Sequence, residues 1–368
     1  MSIRINMMAV SVLALLGAGC ATQSGTPALQ SPAPVSKAQS ATALPTICNQ
    51  TVLACLTGEY SLIIGPSGQV ETYAGLIEEA EKRYAKTFKA PRTKSVLFLS
   101  STVSQDDRQI LKDSGYEVLL PWVSGIARQA MARDAIRVQI KSRNSDANDA
   151  EIETMTEAML QRAGLGLGVN AERGAIAHEF AHMWFIKNNW PQSEDESEDE
   201  DQDARQYGSA GPDWLDEMAA VLSENDFLTA QRREATKEIV DKGNLEAFWP
   251  LETYFTMEHP IFKQALAMLK ARGDLKDGMN VVMLTADEAR GLDPEGGRKS
   301  PHFYAQSRAF ADFMIETSKT PFVFDRIAHA LGTGMTMEAW LSENGQEYGL
   351  KTNVPDLQKQ WELWLVKG

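Results

Sequence analysis

The stretch AIAHEFAHMW, residues 175–184, places two histidines and a glutamate in an almost entirely apolar segment. It belongs to a longer run with helical periodicity, which Asn170 is expected to cap and which should end before Pro191. A helix that is apolar on nearly all sides must be buried. Two imidazoles and a carboxylate are therefore carried into the interior of the fold.

The spacing of these polar residues suits a metal ion. His178 and His182 are four residues apart, so a helix points both imidazoles the same way, one turn apart. Glu179 is rotated by about 100° from His178 and can reach a water molecule on the metal. The alternative is a pair of ordinary core histidines. A buried Glu179 would then be costly, so the pattern favours a Zn²⁺ site.

A third ligand has to come from elsewhere, and a carboxylate is expected because no third histidine follows at a short spacing. Residues 193–203, SEDESEDEDQD, offer eight carboxylates, but a run of like charges is normally solvated and mobile. Beyond it, GPDWLDEMAAVLSENDF (211–227) has the pattern of an amphipathic helix. That helix could present Glu217 rigidly, with Asp213 and Asp216 as competitors.

The H-E-x-x-H pattern of residues 178–182 and the following WLDEMAAVLSE segment together resemble the gluzincin metallopeptidases. This clan contains aminopeptidase-N-like, thermolysin-like and peptidase-MA-like zinc enzymes. There a W-L-x-E-G-x-A helix supplies the third ligand, and alignment on Trp214 implies Glu217 in this chain. Glu224, seven residues on, matches an acid that orients a ligand histidine; an exposed helix acid is the alternative. Met218 replaces the family's glycine, and the gap between His182 and Glu217 is longer than usual.

A second segment, SPHFYAQSRAFADFM (300–314), resembles the family helix that carries a catalytic tyrosine. Ser300 and Pro301 make a good helix start, and the resemblance implies that Tyr304 lies in the first turn. Its phenol would donate to the oxyanion of a tetrahedral intermediate; a tyrosine that only packs at a helix end is the alternative. The C-terminal helices, with their W-x-x-W, extend the resemblance over roughly residues 70–366.

The resemblance implies a zinc-dependent peptide hydrolase, with a peptide or protein as substrate. His178, His182 and Glu217 would hold Zn²⁺, Glu179 would act as general base and Tyr304 would assist at the oxyanion. The G-x-M-E-N element of aminopeptidase-N-like enzymes does not precede His178, which favours an endopeptidase or an enzyme for few peptides. The alternative is a catalytically inactive lipoprotein that binds a peptide or protein partner; the intact Glu179 argues against it.

The N-terminus has the organisation of a secretory signal, with Arg4, an apolar run over 7–16 and then small residues. Ending in GAGC, it resembles a bacterial lipoprotein signal. This implies removal of residues 1–19, lipidation of Cys20 and a protein anchored to a membrane and facing the periplasm. Ala21 favours the inner leaflet of the outer membrane. Ordinary secretion, with Cys20 incidental, is the alternative.

The rest of the chain divides into a tether and one domain. Residues 20–46 are rich in Ala, Ser and Pro and predict a flexible tether. Residues 47–368 predict one α+β, zincin-like domain: a small mixed sheet lobe, then a mainly helical lobe, with the active-site cleft between them. An acidic insertion at 193–205 lacks the spaced acids of a calcium loop. In an exported protein Cys48 and Cys55 could pair as a disulfide; two free, buried thiols are the alternative.

Composition and periodicity complete the prediction. The net charge of −14 argues against nucleic acid as a partner, because binding phosphate requires a basic surface. After Gly168 nearly all periodicity is helical. Before it, strands are predicted at 94–101, 116–123 and 134–142, and helices at 68–88, 104–115 and 147–164.

Overall fold

The computed structural model describes residues 45–49, 53–100, 103–144, 146–163, 168–191, 211–260 and 298–367. Within these residues the fold is α+β, as predicted: a four-stranded mixed sheet is followed by a mainly helical region. The predicted signal segment, most of the tether, Cys20 and the acidic insertion lie outside the described residues.

The regular elements have the following bounds. The strands are β1 (Leu53–Thr57), β2 (Ser61–Pro66), β3 (Ser95–Phe98) and β4 (Val118–Pro121). The helices are α1 (Leu76–Tyr84), α2 (Gln105–Asp113), α3 (Gly125–Arg143), α4 (Asp149–Ala163), α5 (Val169–Asn189), α6 (Asp213–Ser223), α7 (Asp226–Asp241), α8 (Leu251–Tyr254), α9 (Ser300–Ser318), α10 (Val323–Gly332), α11 (Met337–Asn344) and α12 (Val354–Lys367). None of the helices in these described ranges combines the length and the hydrophobicity that crossing a lipid bilayer requires.

The sheet is covered on both faces. β1 pairs antiparallel with β2, and β2, β3 and β4 are parallel neighbours in that order. Every residue of β3 and β4 is buried, as expected for parallel strands packed on two sides. Side chains of β2 alternate between two layers: Leu62 and Ile64 pack with Leu111 of α2, whereas Ile63 packs on the side of α1 and α5. Cys48 and Cys55 form a disulfide that joins the segment before β1 to that strand.

The helix α5 crosses the centre of the helical region and contacts α1, β4, α6 and α7. Two buried side chains of α5 form hydrogen bonds with the sheet lobe. The carboxylate of Glu172, in its first turn, accepts hydrogen bonds from Trp122 Nε1 at 2.8 Å and from the Gly125 backbone at 2.7 Å. Trp184 Nε1, further along, donates to Ser95 Oγ at 3.0 Å. The helix segment between these anchors, which carries the histidines, is thereby held in a fixed position.

One predicted strand is wrong. Residues 134–142 lie inside α3, which Ser124 caps by accepting a hydrogen bond from the Ala127 backbone. The alternation of apolar residues there resembles a strand, but a helix distributes the same positions around its axis. Ile140 is consequently buried while Val138 is 70% exposed.

Two helix boundaries also differ from the prediction. Asn170 does not cap α5, because the helix begins one residue before it with Gly168 at the cap position. The backbone carbonyl of Asn170 instead accepts a hydrogen bond from Asn225. The helix predicted over 68–88 is divided into a short 3₁₀ turn and α1 by Gly75, whose φ of 69° lies in the left-handed region.

Candidate metal centre

Two imidazoles from α5 meet in the interior. His178 and His182 are almost completely buried, and their Nε2 atoms are 3.2 Å apart. The four-residue spacing produces this approach, since it stacks the two side chains on one face of the helix. When neither Nε2 carries a proton, the two lone pairs repel each other at this distance. A proton or a cation between the rings would remove that repulsion.

The helix α6 adds a carboxylate to this pair. Glu217 is completely buried, with Oε1 3.5 Å from His178 Nε2 and Oε2 3.8 Å from His182 Nε2. Burial raises the pKa of Glu217, against the two histidines, which lower it. Neither carboxylate oxygen has a hydrogen-bond partner, and a buried carboxylate in that state is costly.

The three residues make one compact donor set. One ligand atom from each of His178, His182 and Glu217 lies within 4.8 Å of the others, and no other such group occurs among the described residues. Two imidazole nitrogens and one carboxylate, whose two oxygens have no hydrogen-bond partner, fit a divalent cation. This buried group could therefore hold a metal ion.

Asp216, one of the competitors for the third ligand position, has a different place. Its Oδ1 lies 2.9 Å from Nδ1 of His182, the ring nitrogen that faces away from the cluster. Burial lowers the pKa of His182, but Asp216 and Glu217 outweigh burial and raise it to about 10. With a metal bound, a carboxylate at Nδ1 keeps the proton on that nitrogen and leaves the Nε2 lone pair for the ligand bond. Asp213, the other competitor, accepts a hydrogen bond from the backbone of His259.

Glu224 makes the equivalent contact with the other histidine. The helix α6 ends at Ser223, and the extended backbone of Glu224 directs its Oε1 to within 3.1 Å of His178 Nδ1. At 1% exposure Glu224 is not the exposed helix acid that was the alternative. Burial raises its pKa, but Arg232 and His178 outweigh burial, so the pKa lies below its ordinary value. Glu224 is therefore an ionised acceptor for the Nδ1–H of His178.

Glu179 is 5% exposed and follows His178 directly in the chain. Its carboxylate is close enough to raise the pKa values of both His182 and Tyr304. Glu179 is therefore a buried acid close to the donor set.

Tyr304 reaches the same place from α9. That helix begins at Ser300 with Pro301 in its first turn, as predicted, but Tyr304 is the fifth helical residue, just beyond the first turn. Its ring centroid is 6.0 Å from that of His178 and 5.8 Å from that of His259. Burial and the nearby Glu217 raise the pKa of Tyr304 above its ordinary value, so the phenol is protonated at neutral pH and can donate.

Sequence reasoning did not assign a role to two residues at this centre. His259 is 3% exposed, with Nε2 3.8 Å from Oε2 of Glu217 and its ring edge-to-face with Phe303. Burial and the other two histidines lower the pKa of His259 to about 3, so it is neutral. Arg232 contacts both Glu224 and Tyr304. No motif spacing marks either residue; the scarcity of histidine in the chain was the only available signal for His259.

No protein-family model, curated protein or solved structure matches the chain.

Proposed function

We propose that the chain is a zinc-dependent peptide hydrolase of the gluzincin type. The observation that carries the proposal is the meeting of the H-E-x-x-H helix with Glu217 in one buried group, whose carboxylate oxygens lack hydrogen bonds. Two imidazoles and one carboxylate form a common donor set of zinc hydrolases, which leave one position open. Zinc held there would lower the pKa of a water molecule and polarise a substrate carbonyl.

The proposed chemistry assigns a role to each side chain around the donor set. Glu179, buried beside His178, accepts a proton from the attacking water and returns it to the leaving amine. Tyr304, protonated at neutral pH, donates a hydrogen bond to the oxyanion. Asp216 and Glu224 hold the two histidine ligands in the tautomer that presents Nε2.

The proposal extends to the substrate and the location. The substrate is an internal bond of a peptide or protein, since the chain lacks the G-x-M-E-N element that grips a free amino terminus in aminopeptidase-N-like enzymes. The signal-like segment ending in GAGC supports lipidation of Cys20 and a membrane-anchored enzyme that faces the periplasm.

The test compares the purified full-length protein with Glu179→Gln on a broad peptide library, with zinc bound to each. Glu179→Gln should keep its zinc and lose at least about a hundredfold in cleavage rate, because the proton acceptor is gone. Glu117→Gln is the matched control, since Glu117 is 55% exposed and pairs with Lys187 near the C-terminal end of α5.

Full cleavage by Glu179→Gln would refute the mechanism. Stoichiometric zinc without any cleavage by the wild-type protein would instead favour the alternative of a zinc-containing binding protein.

A further inference from the structure

We infer that Arg232 is a positioning residue: held by Glu224, its guanidinium fixes the ring of Tyr304 beside His178. The inference rests on the proposed function, in which Tyr304 serves the oxyanion. No motif in the sequence points to Arg232, and its role follows only from its contacts.

The guanidinium is fixed in two directions. One edge of the guanidinium contacts Glu224, with Nη2 of Arg232 3.0 Å from Oε1 and Nε 3.4 Å from Oε2. Two contacts to one carboxylate set the plane of the group as well as its position. The Arg232 carbon Cζ lies 4.6 Å from the centroid of the Tyr304 ring, within the range of a cation–π contact. Only 22% of the Arg232 side chain is exposed.

These contacts close a ring of four side chains. Oε1 of Glu224, which binds Arg232, is the same atom that lies 3.1 Å from His178 Nδ1. The ring of Tyr304 in turn lies edge-on to that of His178, at 6.0 Å between centroids. A single carboxylate thus sets the orientation of a proposed metal ligand and, through Arg232, that of the proposed oxyanion donor.

Contacts other than those of Arg232 also hold its helix in place. The helix α7, which carries Arg232, is held to α9 by an ion pair between Arg233 and Asp312 at 2.8 Å. A hydrogen bond from Thr236 to the carbonyl of Ala305 adds a second link at 3.2 Å. Substituting Arg232 should therefore leave the two helices packed together. The neighbouring Arg233, which is 57% exposed, provides the matched control on the same pair of helices.

Arg232→Lys separates positioning from simple charge compensation. Lysine keeps the positive charge beside Glu224 but lacks the planar fork and the flat face that stacks on an aromatic ring. If Arg232 only neutralised Glu224, lysine would largely replace it. If Arg232 positions Tyr304, the lysine variant should lose turnover, and that loss should require the phenol of Tyr304.

The first experiment is a double-mutant cycle on the zinc-loaded full-length protein, using a peptide that the wild type cleaves. Arg232→Lys should lower kcat about tenfold with KM changed by less than about twofold. In the Tyr304→Phe background the same change should alter kcat by less than about twofold. Arg233→Lys should behave as wild type. Equal losses in both backgrounds would overturn the inference.

The second experiment needs neither zinc nor activity. The protein is labelled with 3-fluorotyrosine, and the ¹⁹F resonance of Tyr304 is assigned as the one of eight that Tyr304→Phe removes. Arg232→Lys should shift or broaden that resonance, and Arg233→Lys should not; an unmoved resonance in Arg232→Lys would refute the contact. If the wild-type protein cleaves no peptide, the proposed function fails, and the spectrum alone decides whether Arg232 holds Tyr304.

Discussion

Asp216 allows the proposed metal centre to be tested without removing any of its three proposed ligands. Asp216→Asn preserves the size of the side chain but removes the negative charge 2.9 Å from His182 Nδ1. Both residues are 1% exposed, so water cannot replace that charge. Loss of such a partner lowers metal affinity by about 10- to 100-fold, or about 1.4–2.7 kcal/mol.

The same free energy should appear in thermal unfolding. An unfolding entropy of about 2.1 cal/mol/K per residue over roughly 300 residues gives about 0.6 kcal/mol per degree. The rise in Tm on adding zinc should therefore be about 2–4 °C smaller for Asp216→Asn than for wild type. Competition with a chromophoric chelator at pH 7.5 measures the affinity directly.

The matched control is Asp213→Asn, because Asp213 is also buried in the first turn of α6 but contacts the backbone of His259 rather than a ligand. Its zinc affinity should stay within about threefold of wild type. An undiminished affinity in Asp216→Asn, or an equal loss in both variants, would refute the reasoning.

The Asp216–His182 contact also predicts how the stability of the metal-free protein changes with pH. The pKa of His182 is raised to about 10, above its unfolded value, so the folded state binds more protons. Stabilisation by the Asp216–His182 pair is therefore complete below about pH 6.5 and is lost as the pH rises through about 10. Asp216→Asn should destabilise the metal-free protein near pH 6 and have little effect above pH 10.

Two further outcomes concern residues near the centre and in the sheet lobe. Burial raises the pKa of Asp213 to about 8, so the folded state again holds the extra proton and stability falls between about pH 4 and pH 8. Asp213→Asn should therefore increase the Tm of the metal-free protein more at pH 9 than at pH 5, by fluorescence-monitored melting; a pH-independent difference would contradict this. Replacing Cys48 and Cys55 by serine should lower the free energy of unfolding by about 2 kcal/mol in a urea titration. The disulfide restricts the unfolded chain, and the effect is modest because the loop it closes is short. An unchanged urea midpoint would show that the bridge does not stabilise the fold.

The parts of the centre that could be predicted are those set by local geometry. His178 and His182 approach each other because a helix brings residues four apart together, and that rule needs no tertiary information. The segment that carries Glu217 was preferred to the acidic run because an ordered helix can hold a ligand, but the choice of Glu217 over Asp213 and Asp216 came from the family resemblance. Glu217 is the acid that joins the two histidines. Glu224 came from family resemblance alone, since nothing in its local pattern shows that the chain leaves α6 there and turns the side chain inward.

The remaining residues enter through long-range packing. Arg232 reaches Tyr304 because α7 lies along α9, and no sequence pattern specifies that pairing. His259 is placed by a backbone hydrogen bond to Asp213, a contact between distant parts of the chain. The strand predicted at 134–142 is wrong for a local reason. A short alternating run was interpreted as a strand without regard to the helix cap at Ser124 that precedes it.

The most direct test of the account is anomalous diffraction at the zinc edge from crystals of the protein grown with zinc. A peak should lie among His178 Nε2, His182 Nε2 and the carboxylate of Glu217, about 2.0–2.2 Å from each ligand atom. If no peak appears at that position, or if the peak is coordinated by other residues, the claim that these three side chains form the metal centre is contradicted.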